Sequence, residues 1–144
     1  MLKQVYDDWN TSRKAHEAIQ QYNEFLDQYY KTLAEDTYGG KTPQETLDMF
    51  IDALERGDID LASKYFALDD NLSRKQGEDG LQKAKEEGRI SYIIQQLKKA
   101  VPAKNYNEAD GFVWFNVYND AGELTHEMEL MWNEYSGVWK IESM

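Results

Sequence analysis

The longest regular pattern in the chain runs from about Thr11 to Asp36, a stretch without Gly or Pro. Its apolar residues are Ala15, Ile19, Tyr22, Leu26, Tyr29 and Leu33, in steps that alternate between four and three. That rhythm is the narrow stripe of an amphipathic helix, flanked here by Phe25 and Tyr30. The stripe covers too few heptads for a strong isolated coiled coil. It therefore predicts a helix that buries its stripe against folded protein, either the chain's own domain or a two-fold mate.

Tyr38-Gly39-Gly40-Lys41 reads as a linker, because paired glycines release the chain from helical geometry. Thr42-Pro43-Gln44-Glu45 then carries several helix start signals together: a hydroxyl cap, a Pro whose missing N–H costs nothing there, and a Glu placed to reach back. Leu47, Phe50, Ile51 and Leu54 are spaced for one buried face, and Gly57 closes the helix. Asp58 caps a short third helix with Leu61, Ala62, Tyr65 and Phe66 on its apolar face, and Asp69-Asp70-Asn71 breaks it. Leu72 to Glu87 is helical in tendency, although Gly77 and Gly80 each weaken a helix interior by up to about 1 kcal/mol relative to Ala. Ile90, Ile93, Ile94 and Leu97 give a further helix, stopped by Val101-Pro102.

From Ala103 onward the period switches to two. Lys104 to Glu108 is a strand candidate, Ala109-Asp110-Gly111 a turn, and Phe112 to Tyr118 a strand rich in aromatic and β-branched residues. Asn119 to Gly122 forms a hairpin loop, Leu124 to Trp132 the partner strand, Asn133 to Gly137 a turn, and Val138 to Ser143 the last strand. Alternation puts Val113, Phe115 and Val117 inward, together with Leu124, His126, Met128, Leu130, Trp139 and Ile141. Lys140 and Glu142 then point outward. Helices first and an antiparallel meander after them make an α+β fold, with a helix and linker over residues 1–40 and an α+β domain over 41–144.

Composition narrows the functional classes. The 144 residues are 41% hydrophobic and 30% charged, which is globular. A formal net charge of −11 argues against nucleic acid as a partner, since phosphate backbones are held by clustered Lys and Arg. The absence of Cys excludes disulfides, Cys-based zinc sites and thiol nucleophiles. No run of eighteen apolar residues predicts a membrane span in this chain, and no basic start followed by an apolar stretch reads as a signal peptide.

The segment Lys41-Thr-Pro-Gln-Glu-Thr-Leu-Asp-Met-Phe-Ile-Asp-Ala-Leu-Glu-Arg-Gly-Asp-Ile-Asp-Leu-Ala-Ser-Lys-Tyr-Phe66 resembles the opening helices of the cystatin-like cone fold, in the nuclear-transport-factor-two-like superfamily. Gly137-Val-Trp-Lys-Ile-Glu-Ser143 resembles its closing strand. The resemblance covers about Lys41 to Met144 and rests on caps, turns and core positions. It implies a cone of helices packed on a short curved antiparallel sheet. It also implies kinship with uncharacterised bacterial proteins that carry this domain outside the cytoplasmic membrane, anchored or secreted. An extracytoplasmic location follows only from that resemblance, and a cytoplasmic one is the alternative. The helix before Lys41 is not part of the common fold, and no catalytic signature comes with the resemblance.

Candidate chemistry is sparse. Relatives that act as cyclases or isomerases point to a pocket in the cone interior lined by Tyr65, Phe115, His126 and Met128, with His126 as an acid or base; the other reading of His126 is a half-buried side chain near the hairpin end. His16 lies opposite the helical stripe, in solvent. Asp69-x-Asn71-x-Ser73 begins like a calcium loop, but Arg74 stands where Gly is needed and Gly80 where Glu is needed. The carboxylates read as caps and solubilising surface, and no metal, cofactor or catalytic residue is assigned. The feature that the core does not absorb is the aromatic set Phe112, Trp114 and Tyr118, joined by Trp132 or Tyr135. Exposed aromatic surface marks contact with a partner, unless the N-terminal helix covers it. The expected function is a non-catalytic accessory or protein-interaction domain, acting through that sheet face or the N-terminal helix, with a homodimer as one form. The alternative is a small-molecule binding protein or minor enzyme using the cone interior.

Overall fold

A computed structural model describes residues 1–69 and 73–144. The chain divides into two compact units, Met1–Asp36 and Thr37–Met144. The first is a single helix, α1, Leu2–Glu35. It starts well before Thr11 because nothing between Leu2 and Asn10 breaks a helix, and Val5, Tyr6 and Trp9 share one face. Arg13 stabilises this first part locally, with its guanidinium 5.6 Å from the Trp9 ring centre and 2.7 Å from the Glu17 carboxylate. No residue of α1 is buried: Ile19 and Tyr22 of the stripe are about 60% exposed, and Leu26, Tyr29 and Leu33 are half-buried.

In the second unit the helices are α2 (Pro43–Glu55), α3 (Ile59–Ser63), α4 (Ser73–Glu86) and α5 (Ile90–Lys98). The strands are β1 (Val101–Pro102), β2 (Phe112–Tyr118), β3 (Leu124–Asn133) and β4 (Val138–Ser143), in one antiparallel sheet of order β1-β2-β3-β4. The fold is α+β, with helices packed on the inner face of the sheet. The start of α2 forms as its sequence requires: Thr42 Oγ1 accepts from the Glu45 N–H, while Glu45 Oε2 accepts from the Lys41 N–H. Asp58 Oδ1 caps α3 through the Leu61 N–H, and Asp69 caps α4 by accepting from both the N–H and the hydroxyl of Ser73. The expected helix break at Asp70 and Asn71 and the helix start at Leu72 lie outside the described residues.

Leu47, Phe50 and Leu54 of α2 meet Ala62, Leu81 and Leu97 from the other helices and Val113, Phe115, Leu130 and Ile141 from the sheet in one buried cluster. Phe66 stands edge-on to Phe50, with ring centres 5.6 Å apart. Gly77 lies directly over Phe66; a Cβ there would sit 2.5 Å from the ring. The glycine that reads as a weakness in α4 is therefore what lets the helix approach the core.

Two stretches fold differently from their sequence reading. Lys104 to Glu108 makes no strand, because the chain turns at Tyr106 and the Tyr106 ring packs edge-on against Phe115, 5.8 Å between centres. Asn107 then caps a short 3-10 turn, Glu108–Asp110. Val101-Pro102 does end α5, but it also pairs with Asn116 and Phe115 as a two-residue edge strand, a position that tolerates Pro.

Tyr38 to Gly40 is packed and belongs to the second unit. The Trp139 N–H donates to Gly40 O at 2.9 Å, the Gly40 N–H donates to Thr46 Oγ1, and that hydroxyl donates to Trp139 O. A Cβ on Gly39 would lie 2.2 Å from Trp139 O, so only glycine allows this approach. Further along β4, Ile141 donates to Tyr65 O and accepts from the Ala67 N–H. The outer edge of β4 is thus closed by the chain's own backbone, and the opposite edge is shortened by Pro102. Lys140, expected outward, is 2% exposed: its ammonium donates to Tyr38 O and to Lys64 O, tying both covering segments to the sheet.

Candidate interaction surface

The register of β2 against β3 places Phe112 opposite Met131, Val113 opposite Leu130, Trp114 opposite Glu129, Phe115 opposite Met128, Asn116 opposite Glu127 and Val117 opposite His126. Residues directly opposite share a face, so the sheet has two distinct sides here. Val113, Phe115 and Val117 are sealed against the helices, as alternation predicts. The other side carries Phe112, Trp114, Asn116 and Tyr118 on β2 and Met131, Glu129 and Glu127 on β3. Phe112 is 48% exposed, Tyr118 39% and Met131 37%.

The register shifts twice. A bulge between Val117 and Tyr118 leaves Tyr118 opposite Leu124, so Leu124 joins the outer side and is exposed, contrary to its predicted inward position. A second irregularity between Glu129 and Leu130 pairs Leu130 with Ile141 and Trp132 with Trp139. Trp132 keeps the alternation of Met128 and Leu130 and lies on the core side, at the end of the sheet, with its ring centre 5.7 Å from that of Trp139. Of the four residues read as an interaction surface, Phe112, Trp114 and Tyr118 share a face and Trp132 does not.

On β2 and β3 the charged groups of the outer side are carboxylates, while Lys140 of β4, opposite Met131, is buried against the Tyr38 and Lys64 carbonyls. Glu129 is partly buried, and burial raises its carboxyl pKa above the usual value. Glu127 is exposed beside it, and neither carboxylate has an ion-pair partner among the described residues. The Asn116 amide donates to the Tyr118 hydroxyl at 3.3 Å, while its Oδ1 is shut off from solvent and accepts no hydrogen bond.

The predicted pocket is not assembled. Tyr65, Phe115 and Met128 are core residues in mutual packing, and burial raises the Tyr65 pKa. His126 lies at the hairpin end, exposed, its Nδ1 3.1 Å from Thr125 Oγ1. A cleft of about 420 Å³ occurs elsewhere, where Gly77, Gly80 and Ala84 of α4 face Arg89, Ile93 and Glu142. Its sequence signal is the small-residue stripe of α4, which reads only as a weakened helix. Among the described residues no group of three or more His, Asp or Glu side chains could hold a metal ion, and no helix is long and apolar enough to cross a membrane.

No protein-family model, curated protein or solved structure matches the chain.

Proposed function

We propose that the chain is a non-catalytic accessory domain that engages another protein through the outer side of its sheet. The observation that carries this reading is the set of exposed Phe112, Tyr118 and Met131 with half-buried Trp114, on one side of the sheet and outside the core. Aromatic and Met side chains are enriched where protein surfaces meet, because they give large apolar contact at small entropic cost. The exposed apolar residues of α1 offer a second contact surface, for a copy of the chain or for another protein.

The cystatin-like, nuclear-transport-factor-two-like relationship belongs to the same proposal. It rests on Lys41 to Phe66 and Gly137 to Ser143, and the order of helices before an antiparallel meander agrees with it. An extracytoplasmic role in a bacterium follows only if that relationship holds. The alternative, a ligand-binding cone interior, loses support from the packing of Tyr65, Phe115 and Met128.

Site-specific photo-crosslinking in the source cell tests the interaction reading. Benzoylphenylalanine replacing Phe112 should give a discrete protein adduct, whereas the same group replacing exposed Gln82 on α4 should not. No adduct at Phe112, or the same adducts at both positions, would remove the proposal.

A further inference from the structure

The outer side of the sheet also specifies the chemistry of its occupant, an inference that rests on the interaction reading above. The Glu127 and Glu129 carboxylates on it have no ion-pair partner among the described residues, and Asn116 Oδ1 accepts no hydrogen bond. Interleaved with them are the π-faces of Phe112, Trp114 and Tyr118, which are themselves electron-rich. The register sets Trp114 directly opposite Glu129 and Asn116 directly opposite Glu127, so an aromatic or amide on β2 adjoins a carboxylate on β3 at successive outward positions. A surface that sets carboxylates beside ring faces is complementary to a group that combines positive charge with a planar set of donors. Guanidinium fits best, since it stacks on an aromatic plane while its N–H fork meets a carboxylate. Burial without a cation leaves Glu129 harder to ionise, and a cation brought against it would reverse that effect.

Size selects the occupant further. The seven residues of β2 span about 23 Å, with outward positions at every second residue. A small cation would meet a single aromatic and carboxylate pair, whereas an extended peptide segment could meet several in succession. A second copy of this chain is disfavoured, because it would bring another net −11 and the same unpaired carboxylates.

We infer that the Phe112–Trp114–Tyr118 face, with Glu127 and Glu129, binds an extended Arg- or Lys-bearing segment of another protein. The probe is the peptide acetyl-Gly-Arg-Gly-Arg-Gly-Arg-amide, titrated into the isotopically labelled full chain at fixed ionic strength. The largest shifts should fall on the Trp114 indole and the Asn116 amide. Glu127→Gln with Glu129→Gln should weaken binding by about tenfold, the sum of two modest charge contacts. Glu24→Gln with Glu86→Gln, which removes equal charge from exposed positions outside β2 and β3, should change it by less than about twofold. Trp114→Leu, which keeps an apolar side chain but loses the ring, should weaken it by about threefold or more. Equal loss from both double variants, shifts spread over the acidic surface, or no binding would overturn the inference. Crosslinking from position 112 separates the two claims. An adduct that persists undiminished when Glu127 and Glu129 are both Gln removes the cationic partner and leaves the interaction reading standing. No adduct in the parent background removes both.

Discussion

The two sides of β2 differ by one residue in sequence and by almost everything in environment. Phe115 is 0% exposed and touches both the helices and its neighbouring strand, whereas Phe112, three positions earlier, is about half in water. Both are Phe, both sit on the same rigid strand, and only the direction of the Cα–Cβ bond separates them. The comparison teaches that residue type does not divide the stabilising positions of this sheet from the available ones. Register does, and substitutions on the two sides should therefore separate cleanly.

Phe115→Ala carries the largest expected effect. It empties a fully packed site at the centre of the sheet and should cost about 3 to 5 kcal/mol, measured as a lowered denaturation midpoint at unchanged slope. A loss below about 1 kcal/mol would mean that the inner side is not the core.

The next test moves the same logic to α4. Gly77 abuts the Phe66 ring, while a Cβ at Gly80 would meet nothing within 4 Å. Gly77→Ala should therefore destabilise by about 1 to 3 kcal/mol through overpacking, despite its better helix propensity. Gly80→Ala should stabilise by up to about 1 kcal/mol. Changes of the same sign and size would show that packing against Phe66 does not set the position of α4.

These pairs also show which features were legible in the sequence. Thr42, Asp58, the limits of β2 and β4, and the inward set Val113, Phe115 and Val117 follow from local rules of capping and alternation, and the structure realises each of them. What escaped depends on contacts far apart in the chain. Gly39 is a close approach to Trp139 O, Lys140 is buried by carbonyls of Tyr38 and Lys64, and Gly77 makes room for Phe66. None of these partners is a sequence neighbour, so composition reads them as a linker, a surface lysine and a helix breaker. Of the candidate surface, the three aromatics of β2 were legible. The exposure of Leu124 was not, because it depends on a bulge that leaves no mark in the alternation, whereas the core-side place of Trp132 follows from the alternation of Met128 and Leu130.

Phe112→Ala breaks the comparison from the other side. Removing a half-exposed ring that seals no core should change stability by less than about 1 kcal/mol, several times less than Phe115→Ala, while abolishing most of any binding at this face. A loss approaching that of Phe115→Ala would make Phe112 a structural residue and undercut the interaction reading.

The smallest expected effect is confined to pH, and it isolates the outer side because Val113, Phe115, Met128 and Leu130 carry nothing that titrates. Burial raises the Glu129 pKa, so from about pH 4.5 up to its folded value the folded chain holds more protons at this site than the unfolded chain does. The Glu129 contribution to stability is therefore most favourable below that window and declines as pH rises through it, opposite to a carboxylate that caps a helix. Gln keeps the shape and stays neutral. Relative to the parent, Glu129→Gln should gain stability as pH rises across the window and hold that gain above it, with little difference at lower pH. Denaturation midpoints of both proteins at several pH values give the difference directly. A flat difference, or one that falls with rising pH, would mean that Glu129 is either fully solvated or already paired with a cation. The charge argument for a cationic partner would then lose its anchor.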